Sequence, residues 1–137
     1  MAEAGALDRA SMPLGEGAPE RMKGMVSGVR AGGFLFLSAI RGRRAEGGMS
    51  DDPLEQARQC FANLEAVLGA SGATLAHVVK VTLYLHDLEK RGAFHEAWME
   101  VYPTDPPARI AVCVADANAA PGGRAHFALD VVALAPN

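Results

Sequence analysis

Long apolar runs, cysteines and aromatic side chains are all scarce in this 137-residue chain. No stretch approaches the roughly 20 apolar residues that span a bilayer. The first 20 residues, MAEAGALDRASMPLGEGAPE, carry neither a basic start nor an apolar segment, so no secretory signal is visible. The two cysteines, Cys60 and Cys113, form no C-x-x-C pair and no disulfide framework. Both fall in apolar patterns and are expected as buried, reduced thiols in a cytoplasmic protein. Four histidines, His77, His86, His95 and His126, lack the spacing of a zinc site, so no metal is expected. AGGF and EGGM lack the strand and lysine context of a phosphate loop and read as turns. Basic excess is also missing. Thirteen Lys and Arg against 16 Asp and Glu leave a net charge of −3, which argues against a nucleic-acid partner.

What is present is core. Hydrophobic residues make up 50% of the chain, enough for one well-filled domain. Residues 1–22, rich in Ala, Gly, Glu and Pro without periodicity, are expected as a loose N-terminal arm, and residues 23–137 as a single domain. MVSGVRAGGFLFLSAI reads as two strands joined at Ala31-Gly32-Gly33, glycine supplying the positive φ of the turn. The second run is apolar nearly throughout, so both its faces should be covered. RGRRAEGG makes a basic loop with Arg41, Arg43 and Arg44. In SDDPLEQARQCFANLEAVLGASG, Asp52 is placed as N-cap, Pro53 at the first helical position and Glu55 as the partner in a capping box. Leu54, Ala57, Phe61, Leu64 and Leu68 share one face of that helix, and Gly69 or Gly72 ends it. VVKVTLYL alternates as a strand. A second helix covers about 89–102, stopped by Pro103. Two strands, about 109–115 and 126–134, flank DANAAPGG. The order β-β-α-β-α-β-β predicts an α+β mixed sheet with two helices on one face. Its other face then needs cover, for which a second subunit is the natural source.

One residue stands out. In DPPARIAVCVA, Arg109 stands between rigid Pro-Pro chain and an apolar strand. It is either a surface residue flanking a strand or a fixed cation aimed into a pocket. The segments FLFLSAI, QARQCFANLEAVLGASGATLAHVVKVTLYLHDL, FHEAWMEVYPTDPPARIAVCVA and FALDVVAL, with Pro107-Ala108-Arg109 the most characteristic, resemble the Rid family (reactive intermediate deaminase, also called YjgF) over about residues 25–134. Older descriptions call its members endoribonucleases or translation inhibitors. The resemblance implies a chorismate-mutase-like α+β homotrimer with pockets between subunits and no cofactor. It also implies hydrolysis of imines or enamines such as 2-aminoacrylate, or a larger 2-aminomuconate-like compound, to 2-oxo acid and ammonia.

On that resemblance Arg109 is the catalytic carboxylate clamp, a role its planar fork of donors suits. Ser38, Ala39, Ile40, Met25, His95, Ala111 and Ala128 fall at substrate-binding positions. Several depart from the family pattern. Met25 stands for a tyrosine, Ala39 for a glycine, Ala111 for Cys, Thr or Ser, and His95 for an asparagine. Ala128 occupies the position of the glutamate thought to orient the attacking water, with His126 and Asp130 as its nearest replacements on the strand. One arginine of the 41–44 loop would suit a second anionic group on a larger substrate. Loss of the glutamate leaves a second function open, a non-catalytic trimeric module that binds small carboxylates or a partner protein.

Overall fold

A computed structural model of the chain describes residues 7–117 and 125–137. Most of the DANAAPGG linker and the first six residues lie outside the described part. Six strands form one sheet: β1 (Arg9–Ser11), β2 (Gly28–Ala31), β3 (Phe34–Leu37), β4 (Val78–Leu85), β5 (Ala108–Cys113) and β6 (Phe127–Leu134), in the spatial order β1-β2-β3-β6-β4-β5. Two helices, α1 (Pro53–Gly69) and α2 (Arg91–Val101), cover one face. Only β4 and β5 run parallel, as their connection through α2 allows. The sheet is therefore mixed, as the element order predicts.

The β2–β3 hairpin closes through Gly32 and Gly33, with φ of 57° and 83°, between the paired residues Ala31 and Phe34. Positive φ at both central residues defines a turn whose twist matches the strands. Helix α1 starts where expected, Asp52 Oδ2 accepting the Glu55 N–H at 2.9 Å. The expected capping box closes differently, because Ser50 intervenes. Its hydroxyl accepts the Asp52 N–H and donates to Glu55 Oε2. At the far end, Gly72 (φ 76°) turns the chain so that the Ala73 N–H returns to the Leu68 carbonyl.

Leu35, Val81, Leu83, Phe127, Leu129, Val131 and Ala133 point beneath the helices and meet Ala57, Phe61, Leu64, Leu68, Phe94 and Trp98. Phe61, Phe94, Trp98 and Tyr102 stack edge to face or tilted, with ring centroids 4.9–6.5 Å apart. Three expectations change. Part of the supposed loose arm is an edge strand, for β1 pairs with β2, and Met12 and Ala18 are buried behind it. Phe34 and Phe36 of β3 are exposed, since on the second face of the sheet the buried cluster among the described residues lies around Ala128 of β6 and not over β3. Cys113, expected to be buried, is exposed on β5, an edge strand.

Candidate functional site

Arg109 is the second residue of β5 and pairs with Val81, whose side chain is buried beneath the helices. Strand alternation thus turns Arg109 to the helical side of the sheet. There its guanidinium lies 4.5 Å from the centroid of the Trp98 ring and 6.0 Å from that of Phe94, both on α2. Such stacking fixes the plane of the fork. Nη2 donates to His95 Nδ1 at 3.1 Å. Nη1 is shielded from solvent and is the one buried side-chain polar atom without a hydrogen-bond partner among the described residues. Burial lowers the arginine's pKa, and the charge of Arg91 lowers it further. No carboxylate is paired with Arg109 in any described contact; the arrangement is a held cation with a donor to spare.

The other expected site residues fall into a second group. The Ser38 N–H donates to the Ser27 carbonyl, which continues the β2–β3 pairing past Leu37 and brings Ser38 beside the chain that carries Met25. Met25 is half exposed. The carbonyl of Ala39 accepts from Arg21 Nη1 at 2.8 Å, and Ile40 is buried, bridged by two backbone hydrogen bonds to Leu129 of β6. Next to Leu129, Ala128 points to the opposite face from the helices, where it packs with Tyr84, Ala117, Ala125, Met49 and Val114. Asp130 is exposed on that same face, opposite Thr82.

Within one chain these groups do not meet. Ser38 follows β3 and Arg109 lies on β5, three strand spacings away, roughly 14 Å. Ala128 and Asp130 stand on the other side of the sheet from Arg109. Only His95 and Ala111 join the arginine. Ala111 is exposed two residues on, paired with the inward-facing Leu83. His126 is no free base either. Its Nε2 donates to the Asp51 carbonyl at 2.7 Å, its Nδ1 accepts from Lys90 Nζ at 3.1 Å, and its own N–H reaches Gln56 Oε1.

Sequence reasoning overlooked Gln56 and Asn63, two buried polar residues on α1 that shape the loop after Ile40. Asn63 Nδ2 donates to the carbonyls of Arg41 and Arg43 at 2.7 and 2.8 Å, and Gln56 Nε2 donates to that of Ser50. Gly42 packs so closely that a Cβ there would lie 2.5 Å from the Gln56 carbonyl oxygen and its Cγ. With Cys60, these residues form a second stripe at i, i+4, i+7, beside the apolar one, and that spacing was the available signal. Arg41 is likewise occupied, its Nε donating to the Ala117 carbonyl at 2.8 Å. Burial lowers its pKa, opposed by the nearby Cys60 and Asp116. A shallow groove between α1 and α2, lined by Phe61, Leu75, Ala97 and Val101, contains none of the expected site residues.

An α+β mixed sheet, helices on one face, with a stacked arginine opening its parallel edge strand, defines the class. The sequence model described as endoribonuclease L-PSP matches residues 15–133, and the chain belongs to this family, also known as Rid or YjgF. A RutC family protein of Pyrococcus horikoshii is 33% identical over 99 residues, 71% of this chain and 79% of its own length. A 2-iminobutanoate/2-iminopropanoate deaminase of Dermatophagoides farinae is 32% identical over 108 residues, 77% of this chain and 82% of its own. The crystal structure of RidA from an Antarctic Psychrobacter superposes with a TM-score of 0.78 at 27% identity, covering 87% of this chain and 94% of that one. Among the described residues no helix is long and apolar enough to cross a membrane, and no group of three potential metal ligands occurs.

Proposed function

We propose that this protein hydrolyses small 2-imino acids, or their enamine tautomers, to 2-oxo acids and ammonia, Arg109 holding the substrate carboxylate. The observation that carries the reading is the guanidinium itself, stacked on Trp98 with the shielded Nη1 donor unpaired. A carboxylate offers that donor the acceptor it lacks, and bidentate contact fixes the adjacent C=N carbon for attack by water. The deaminase name of the Dermatophagoides relative supports the same substrate class. Because Arg109 and the Ser38–Ile40 segment lie on separate parts of one chain, we further propose a homotrimer. In it one subunit supplies the arginine and its neighbour the segment, together with Met25 and Ala128. RNA cleavage is a weaker reading, since the chain is acidic and Arg41 is engaged by a backbone carbonyl.

The test pairs binding with turnover. Pyruvate affinity is measured by calorimetry, and acceleration of oxo-acid release is followed with 2-iminopropionate made in situ from alanine by an amino-acid oxidase. Arg109→Ala should weaken pyruvate binding about a hundredfold or more, the loss of two charge-assisted hydrogen bonds. Arg109→Lys should recover part of it, keeping the charge without the fork. Wild-type affinity in Arg109→Ala would refute the clamp. Binding without any acceleration by the wild type would favour the non-catalytic carboxylate-binding module that the alanine at position 128 allows.

A further inference from the structure

Arginine has no acceptor, so the nitrogen that receives its N–H carries a lone pair. The 3.1 Å contact from Arg109 Nη2 therefore fixes His95 Nδ1 as unprotonated and, in the neutral ring, puts the proton on Nε2. His95 is exposed on α2, so a ligand and water reach it. The charged group in contact with it is the cation of Arg109 from β5, which in turn feels the charge of Arg91. No described carboxylate is bonded to it. The lone pair on Nδ1 is what lets the ring accept a proton.

We infer that His95 is the general base of this site, a catalytic role that rests on the imine-hydrolase reading. A carboxylate gripped by Arg109 competes for the Nη2 donor and frees the Nδ1 lone pair beside the substrate. Water then adds through oxygen to the C=N carbon of the protonated imine while His95 Nδ1 takes one water proton, and the π pair moves to nitrogen. The resulting imidazolium returns that proton to the amine nitrogen of the carbinolamine. The C–N bond breaks with its pair leaving on ammonia, and the hydroxyl proton passes back to His95 and on to solvent as the carbonyl forms. The alternatives are poorly placed in the same chain. Both ring nitrogens of His126 are bonded, position 128 is an alanine with no basic group, and Asp130 of the same chain lies across the sheet from Arg109.

His95→Asn separates the roles, because its Oδ1 can still accept from Arg109 but cannot carry a proton at working pH. The inference expects pyruvate affinity in this variant to stay within about threefold of wild type. The turnover rate should fall about a hundredfold or more, the range of general-base assistance. His95→Ala should show the same rate loss together with weaker binding. If His95→Asn turns over within about threefold of wild type while Arg109→Ala still weakens pyruvate binding, the base assignment is overturned and the hydrolase reading stands. If the wild type neither binds pyruvate nor accelerates imine hydrolysis, both are overturned.

Discussion

At the scale of single residues, side chains of one type take opposite roles according to burial. Cys60 lies on the inner side of α1, and burial pushes its thiol up to about 12 from 9.0. Tyr102, whose hydroxyl donates to the Leu75 carbonyl at 2.8 Å, is likewise raised by burial to about 12 from 10.0. Both groups are neutral when protonated, and both hold their protons more tightly in the folded chain. Their contribution is present in full below the unfolded values and is lost as pH rises through the folded ones. Stability should therefore decline between about pH 9 and about pH 12. Cys60→Ala should flatten the first part of that decline in urea titrations. Cys113 is exposed. A thiol reagent at mildly alkaline pH should leave Cys60 unlabelled in the native protein and label both cysteines in denaturant, and rapid native labelling of Cys60 would contradict its burial.

At the scale of elements, α1 does more than cover the sheet. Its apolar stripe packs on the core, while Gln56 and Asn63 hold the Arg41–Arg43 backbone and the start of β6 in place. The helix start is a small network of Ser50, Asp52 and Glu55 rather than a two-residue box. Asp52→Ala should cost about 1 kcal/mol in denaturant unfolding, the usual worth of an N-cap. Ser50→Ala should add a further loss, because it orphans the Asp52 N–H and releases Glu55. Additivity of the two variants would show that Ser50 acts independently of the cap, whereas a smaller double-mutant loss would show one shared network. The strands and helices were readable from periodicity and turn residues. β1 was not, since a three-residue edge strand has no pattern of its own and forms because β2 presents a free edge.

At the scale of the whole molecule, the single chain leaves much of one sheet face exposed. Phe34, Phe36, Ile110 and Leu134 are each 38–52% exposed there. In water so much apolar surface on one sheet face is an association surface. The proposed homotrimer should register in light scattering at three times the 14.3 kDa chain mass. Phe36→Asp, which introduces a charge into that face, should shift the distribution toward monomer and reduce turnover together with it. A stable wild-type monomer at micromolar concentration would remove the shared-pocket proposal, because Arg109 and Ser38 would then have no way to meet.

The sequence by itself determined the two helices, five of the six strands, the Gly32-Gly33 turn and the prominence of Arg109. These follow from local rules: side-chain period, capping chemistry and the rigidity of Pro106-Pro107 before a strand. Tertiary structure alone decided which faces those residues share. Strand pairing turned Arg109 toward α2 and Ala128 away from it, and that turned a row of aligned site residues into two separate groups. It also tied up His126 with Asp51 and Lys90, and left His95 as the imidazole at the arginine. Sequence spacing could not say this, because contact between β5 and α2 depends on the order of strands in the sheet. That order is set by the burial of the whole apolar face and by no segment read alone.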